Sequence, residues 1–273
     1  MEDVQRAELF RPLIRTMRWS YSRIKSYEQC PYGWYLHYLL FPNVPGEEKF
    51  YASFGSFVHS LIERYYRGEL KEAELPIQYL IHYMAEVKGE LPSGGVAERY
   101  IGDGARYFSS FQPFPFQQLG VEERAEFQIG GKPFLGFIDY LGEKDGEIYL
   151  VDNKARDLKP RSKRAKPTGN DKTLDDMLRQ LYLYSVYVKE KYGVFPKELC
   201  FNCYRTGTFI REPFREEKYE EAKSWAVNSI SAIEETQGFP PNRNYFFCKW
   251  LCGESGRCKY YLRGDDDSLQ TQM

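Results

Sequence analysis

Apolar residues recur at helical spacing through the first third of the chain. Phe57, Val58, Leu61, Ile62 and Tyr65 share one side of a segment from Gly55 to about Arg67. Upstream, Ser20 or Ser22 is placed to cap a helix running to about Leu40, with Pro42 and Pro45 ending it. Two further helices are expected over 76–90 and 95–111, parted by Pro92, Gly94 and Gly95. The period then changes. Glu122–Ile129, Lys132–Leu141 and Glu147–Asp152 are short apolar-rich runs split by Gly130-Gly131 and Lys144-Asp145-Gly146, which reads as a three-stranded meander. A polar stretch from 156 to about 172 leads into a helix from Thr173 to about Tyr192. Lys197–Tyr204 and Thr208–Glu212 read as strands joined by Arg205-Thr206-Gly207, and Glu216–Thr236 as an amphipathic helix. Asn242–Tyr261 is short and cysteine-rich, and Gly264–Met273 reads as an acidic tail.

Helices, then a sheet, then a helix and more strands predict an α/β layered fold. No repeat or Gly/Ser linker divides the 273 residues, so a single domain is expected. Its parts are a mainly helical stretch (1–120), a sheet core (121–212), a helix with the cysteine-rich segment (213–262) and a tail (263–273).

The net charge of −1 means that any nucleic-acid binding must come from a local patch. No run approaches 18 apolar residues, and the opening residues lack the apolar stretch of a secretory signal. A cytoplasmic protein is therefore expected, with six cysteines as thiols or metal ligands. Aromatic residues make up 17% of the chain, which suits base stacking, although a tyrosine-rich core is the commoner cause.

The densest chemistry lies between Gly136 and Lys154. Gly136-Phe137-Ile138-Asp139 sits at or near the end of one strand, and Val151-Asp152-Asn153-Lys154 ends the next. Asp152 and Lys154 are two apart, so on a strand they project from one face, with Asp139 across the hairpin. Two carboxylates on rigid strands suit a hard cation such as Mg²⁺. A lysine beside them can orient water and stabilise charge on a phosphate. An isolated D-x-K is common by chance and would mark only a surface ion pair.

Here, however, it stands among other elements in order. Ser20-Tyr21-Ser22-Arg23-Ile24 with Cys30-Pro31, Gly55-x3-His59, Gly136-x2-Asp139, Asp152-x-Lys154 and Gln180-x3-Tyr184 together resemble the RecB-like branch of the PD-(D/E)XK nuclease superfamily. The resemblance implies a restriction-endonuclease-like core, a mixed central sheet flanked by helices. It implies that Asp139 and Asp152 bind Mg²⁺ or Mn²⁺ with the Asn153 carbonyl, and that His59 is a further ligand or holds one. Lys154 is the implied catalytic lysine, and Gln180 and Tyr184 would contact DNA or support Lys154. Glu123 or Glu126 would match an acidic residue that often precedes the G-x-x-D strand. His37 and His82 match nothing.

Cys248-x3-Cys252-x5-Cys258 has metal-ligand spacing but is one thiolate short of four, and Cys30 is the obvious fourth. One cysteine near the start and three near the end resemble the iron–sulfur members of the branch, the AddB nuclease domain and the CRISPR-adaptation RecB-like exonucleases. That implies a 4Fe-4S clamp joining the ends of the chain. Those relatives usually carry C-x2-C where this chain has C-x3-C, and a Cys₄ Zn²⁺ site has the same residue count. Cys200 and Cys203, three apart on a strand, would face opposite ways and are read as structural.

Between Lys154 and Lys172 lie eight basic residues against Asp157 and Asp171. Arg156, Lys159, Arg161, Lys163, Arg164 and Lys166 follow directly from the D-x-K strand and could deliver a phosphate backbone to the site. A mobile solvated loop is the plain alternative. The expected function is a metal-dependent nuclease acting as an exonuclease on single-stranded DNA or DNA ends, in recombination, repair or CRISPR adaptation. A non-catalytic DNA-binding or assembly subunit of a helicase–nuclease or integration complex is the alternative. No G-x-x-x-x-G-K-(S/T) is present, so no ATP site is expected, while a helicase or integrase could be a partner.

Overall fold

Five strands, β1 (Gln117–Ile129), β2 (Lys132–Lys144), β3 (Glu147–Lys154), β4 (Glu198–Cys203) and β5 (Thr208–Pro213), form a mixed sheet in that order in the computed structural model, which describes residues 2–261. The first three strands are an antiparallel meander, β3 and β4 are parallel, and β5 returns antiparallel. Both meander turns place two consecutive residues at positive φ: Gly130 and Gly131 (56° and 75°), then Asp145 and Gly146 (55° and 79°). That is the backbone of a two-residue hairpin loop whose twist matches its strands, and Gly-Gly and Asp-Gly are the pairs that adopt it at least cost.

Helices α1 (Glu2–Arg15), α2 (Tyr21–Gln29), α3 (Pro31–Tyr35), α4 (Phe50–Tyr66), α5 (Leu75–Glu86) and α6 (Gly94–Ser109) precede the sheet. Helix α7 (Gly169–Tyr192) makes the crossover that the parallel β3–β4 pair requires, and α8 (Glu216–Glu234) and α9 (Tyr245–Trp250) follow. On one side of the sheet, Leu178 and Leu181 of α7 and Ile230 of α8 share a core with Ile138, Leu150 and Phe201. Helices α4 to α6 build a second core around Phe54, Leu61, Tyr79 and Phe108. A smaller cluster of Phe114, Phe116, Tyr140, Val151 and Cys200 covers the sheet's other face. Cys200 and Cys203 are fully buried in different clusters, as their spacing on a strand requires.

The helix expected from Ser20 to Leu40 is broken. Ser20 caps α2, but Cys30 is extended (φ −159°, ψ 99°), and α3 restarts at Pro31 before a π-helical turn over Leu36–Leu40. A proline disfavours helical geometry in the residue before it, and its own fixed φ suits a first helical position. The break turns the Cys30 sulfur to cap α3, where it accepts the Gly33 N–H at 3.3 Å. Helix α4 begins at Phe50, five residues before the expected start, and β1 begins at Gln117. The acidic tail lies outside the described residues. Among the described residues, no helix is long and apolar enough to cross a membrane.

Candidate active site

Asp152 and Lys154 point from β3 toward α7. Asp152 is 2% exposed, and its Oδ2 lies 2.7 Å from Lys154 Nζ. Across the hairpin, Asp139 Oδ2 accepts the Asn153 backbone N–H at 2.7 Å, which fixes the two carboxylate-bearing strands to each other. Lys154 Nζ also donates to Gln180 Oε1 at 3.0 Å, and Gln180 Nε2 donates to Tyr184 Oη at 3.2 Å. Gln180 and Tyr184 are one turn apart on α7, so the helix holds the lysine through a relay of two side chains. Gly136 makes room for this: a Cβ there would meet the Tyr184 ring at 2.2 Å.

Helix α4 brings His59 over the start of the meander. Its Nε2 lies 2.8 Å from Glu122 Oε1 and 3.5 Å from Asp139 Oδ2. The ligand atoms of His59, Glu122 and Asp139 all lie within 4.8 Å of one another. Glu122 thus occupies the place expected of Glu123 or Glu126. Glu123 is instead held by Tyr187 Oη and Lys191 Nζ, both at 2.6 Å, and Glu126 pairs with Arg18 at the surface. The reason is a local reversal in the β1–β2 ribbon. Phe134 and Ile138 pack in the core under α7, yet Tyr140 packs in the cluster on the other face, and Ala125 and Val121 divide in the same way. The ribbon turns over between these pairs, at Glu122 and Asp139, and Glu122 takes the positive φ of 49° that the turn demands.

The site is electrostatically unfinished. Burial and the neighbouring Asp152 charge push the Asp139 carboxyl up to about 7. Burial opposes charge on His59, but close pairing with the Glu122 carboxylate and the nearby Asp139 charge outweigh it and push the imidazole up to about 9. Glu122 Oε1 and Asp152 Oδ2 are both buried and lack a hydrogen bond of acceptable angle, despite the ion pairs with His59 and Lys154. Two buried oxygens with unused lone pairs, beside an imidazole and a third carboxylate, are a donor set suited to a hard divalent cation. The donor chemistry therefore fits the metal expected from the sequence.

Asn153 projects from the opposite face of β3, where its Oδ1 accepts from Asn202 Nδ2 at 2.7 Å. In the basic segment after β3, Arg161 is paired: it donates to Glu212 and Asp175, each at 2.7 Å. Asp171 accepts from the backbone N–H and hydroxyl groups of both Ser162 and Thr168, and these bonds hold its carboxyl well below the usual range. The segment is pinned at two points, and Arg156, Lys159, Lys163, Arg164 and Lys166 stay exposed between and beside the pins.

Cys30, Cys248, Cys252 and Cys258 line one small cavity. Besides the Gly33 N–H, the Cys30 sulfur accepts the Asn242 N–H at 3.3 Å. Gly33 leaves the space between two sulfurs open, since a Cβ there would lie 3.6 Å from Cys30 Sγ and 3.7 Å from Cys252 Sγ. Burial and the neighbouring sulfurs push the Cys252 thiol up to about 12. Among the described residues, no three of these sulfurs lie within 4.8 Å of one another. His37 pairs with Glu254 at 3.0 Å.

A crystal structure of a candidate exonuclease from Eubacterium rectale superposes on 98% of this chain and 96% of its own, with a TM-score of 0.52 at 14% identity. The shared architecture, a mixed sheet flanked by helices, is the restriction-endonuclease-like fold. No curated protein matches the sequence. Residues 18–260 match the model of a nuclease family, a span that takes in the Glu122–Asp139–Asp152–Lys154 cluster and the four cysteines of the small cavity, and by that match the chain belongs to the PD-(D/E)XK nuclease superfamily.

Proposed function

We propose that the protein is a divalent-cation-dependent deoxyribonuclease of the RecB-like branch, acting as an exonuclease on single-stranded DNA or free DNA ends. The observation that carries this reading is the convergence of Asp139, Asp152, Glu122, His59 and Lys154 from four separate elements on one point. Asp139, Asp152 and the Asn153 carbonyl would hold Mg²⁺ or Mn²⁺, with Glu122 and His59 completing or orienting the set. The bound cation supplies Lewis-acid polarisation of the phosphate and acidifies water. Lys154, held by Gln180 and backed by Tyr184, places a fixed positive charge where the attacking oxygen and the developing phosphate charge meet. The exposed Arg156, Lys159, Lys163, Arg164 and Lys166 would track the DNA backbone, while Arg161 anchors the segment that presents them.

The four cysteines are proposed to hold a 4Fe-4S cluster. Two backbone N–H groups on the Cys30 sulfur suit a ligated thiolate. The whole chain is read as one nuclease domain serving recombination, repair or CRISPR adaptation, with a helicase or integrase as the kind of partner that would deliver DNA.

Anaerobically purified protein should cut labelled linear single-stranded DNA with Mg²⁺ or Mn²⁺, not with EDTA, and Lys154→Ala should lose at least about 10³-fold in rate. Sparing of circular DNA would establish exonuclease action. A folded wild-type protein that binds DNA without cutting it would replace this reading with that of a non-catalytic subunit.

A further inference from the structure

A cleft of about 750 Å³ opens between α6 and the β4–β5 hairpin, on the face of β3 opposite Asp152 and Lys154. Its size suits a small organic ligand. Tyr107, Phe114 and Phe209 line it with aromatic surface, and the Phe114 and Phe209 rings lie 5.5 Å apart. At its mouth one carboxylate serves two guanidinium groups. Asp103 accepts from Arg205 Nε at 3.1 Å and Nη2 at 2.9 Å, and also pairs with the exposed Arg106. Asp103 is the single acidic residue among the described lining, so the wall keeps a net positive charge.

Asn202, on the wall of the cleft, is buried, 5% exposed. Its amide donates to Tyr107 Oη and to Asn153 Oδ1, each at 2.7 Å. Asn153 stands between Asp152 and Lys154, so a side-chain hydrogen bond joins the cleft to the reacting strand beside the β3–β4 ladder. Tyr204, another wall residue, reaches the Gly55 carbonyl of α4 at 3.5 Å, one turn before His59.

Aromatic faces for a base, guanidinium groups for a phosphate and a carboxamide for a base edge or sugar are the recognition elements of a nucleotide. We infer that this cleft binds one nucleotide unit. Two sources share that chemistry: a nucleotide of the DNA strand flanking the bond to be cut, or a released mononucleotide. The strand as source rests on the nuclease reading above; the cleft's affinity for a nucleotide does not.

Two variants test the inference at sites outside the metal cluster. Arg106→Ala removes an exposed cation, and Thr206→Trp fills the mouth from the exposed hairpin turn. The full-length protein is titrated in EDTA with thymidine and deoxyadenosine monophosphates and with a fluorescent linear oligonucleotide, and KM and kcat for that oligonucleotide are then measured with Mn²⁺. If the strand occupies the cleft, both variants weaken oligonucleotide binding and raise KM about tenfold, the loss of one stacked or charge-paired nucleotide, with kcat within about twofold of wild type. If free mononucleotide occupies it, both variants weaken mononucleotide binding by a similar factor and leave KM unchanged. Wild-type affinities and KM in both variants would overturn the inference while leaving cleavage intact. Absence of cleavage in the wild type would instead refute the nuclease reading, and the EDTA titrations would still decide the cleft.

Discussion

Replacing Asp139 with asparagine should make the metal-free protein more stable at alkaline pH. In the folded chain, burial and the Asp152 charge raise this carboxyl from 3.8 to about 7. Well below pH 4 it is neutral in both folded and unfolded chains and contributes nothing to the balance. As pH rises through the window between the two values, the unfolded chain loses this proton first, so stability falls. A shift of this size corresponds to at most about 4 kcal/mol at pH 8. The carboxamide of Asp139→Asn cannot ionise, and its oxygen can still accept the Asn153 N–H that Asp139 takes at 2.7 Å. The variant should therefore escape most of the loss and gain about 2–4 kcal/mol over wild type at pH 8, with little gain near pH 4. Urea titrations in EDTA across that range measure the difference directly. Added Mn²⁺ should then stabilise wild type and barely affect the variant, reversing their order. If Asp139→Asn is no more stable than wild type at pH 8 without metal, the premise of an uncompensated carboxylate pair is wrong.

Metal affinity should climb with pH, since an imidazole pushed up to about 9 must shed its proton before it can ligate; calorimetry with Mn²⁺ from pH 7 to 9 should show about tenfold tightening per unit and release of at least one proton. A flat profile would remove His59 from the ligand set. Gly136→Ala should cost about 1–3 kcal/mol of stability, because its Cβ meets the Tyr184 ring at 2.2 Å. It should also lower kcat, because Tyr184 supports the Gln180–Lys154 contact; an unchanged denaturation midpoint would refute the packing argument. Cys252→Ala should lose iron, visible absorbance and stability together, whereas Cys200→Ala, buried at the sheet away from the clamp, should keep its iron by elemental analysis.

Most of the site is legible in the sequence because its parts are local. Asp152 and Lys154 share a face by strand alternation, Asp139 follows from a hairpin marked by Asp145-Gly146, and Gln180 and Tyr184 share a face by helical spacing. Glu122 is not legible in this way. Three glutamates lie within five residues, and the choice among them depends on where the ribbon turns over, a property of two strands and both cores. Alternation along β1 alone would favour its neighbour. Arg161 is hidden for a related reason: the basic run gives it the look of a free cation, while its partner Glu212 comes from β5, far along the chain. The break at Cys30 is marked locally by Pro31, and the continuing apolar rhythm from Trp34 to Leu40 obscures it.

The knitting of residue 30 to residues 242–258 sets a condition on the order of synthesis. Cys30 waits for Asn242 and the later cysteines, Tyr32 bonds Pro240, Glu47 bonds Gly253, and Tyr35 stacks on Phe239 at 4.8 Å. At ordinary translation speeds, roughly ten to forty-five seconds separate Cys30 from Cys258 on the ribosome. Until Phe239 emerges, the ring faces of Trp34 and Tyr35 that stack on it have no final partner. Chains halted before residue 239 would carry the complete Asp139–Lys154 strand pair yet leave the Phe239-facing sides of Trp34 and Tyr35 uncovered, a surface for chaperones and proteases. Fastening residues 30–47 to residues 239–258 thus makes translation through that later segment a prerequisite for finishing this part of the fold.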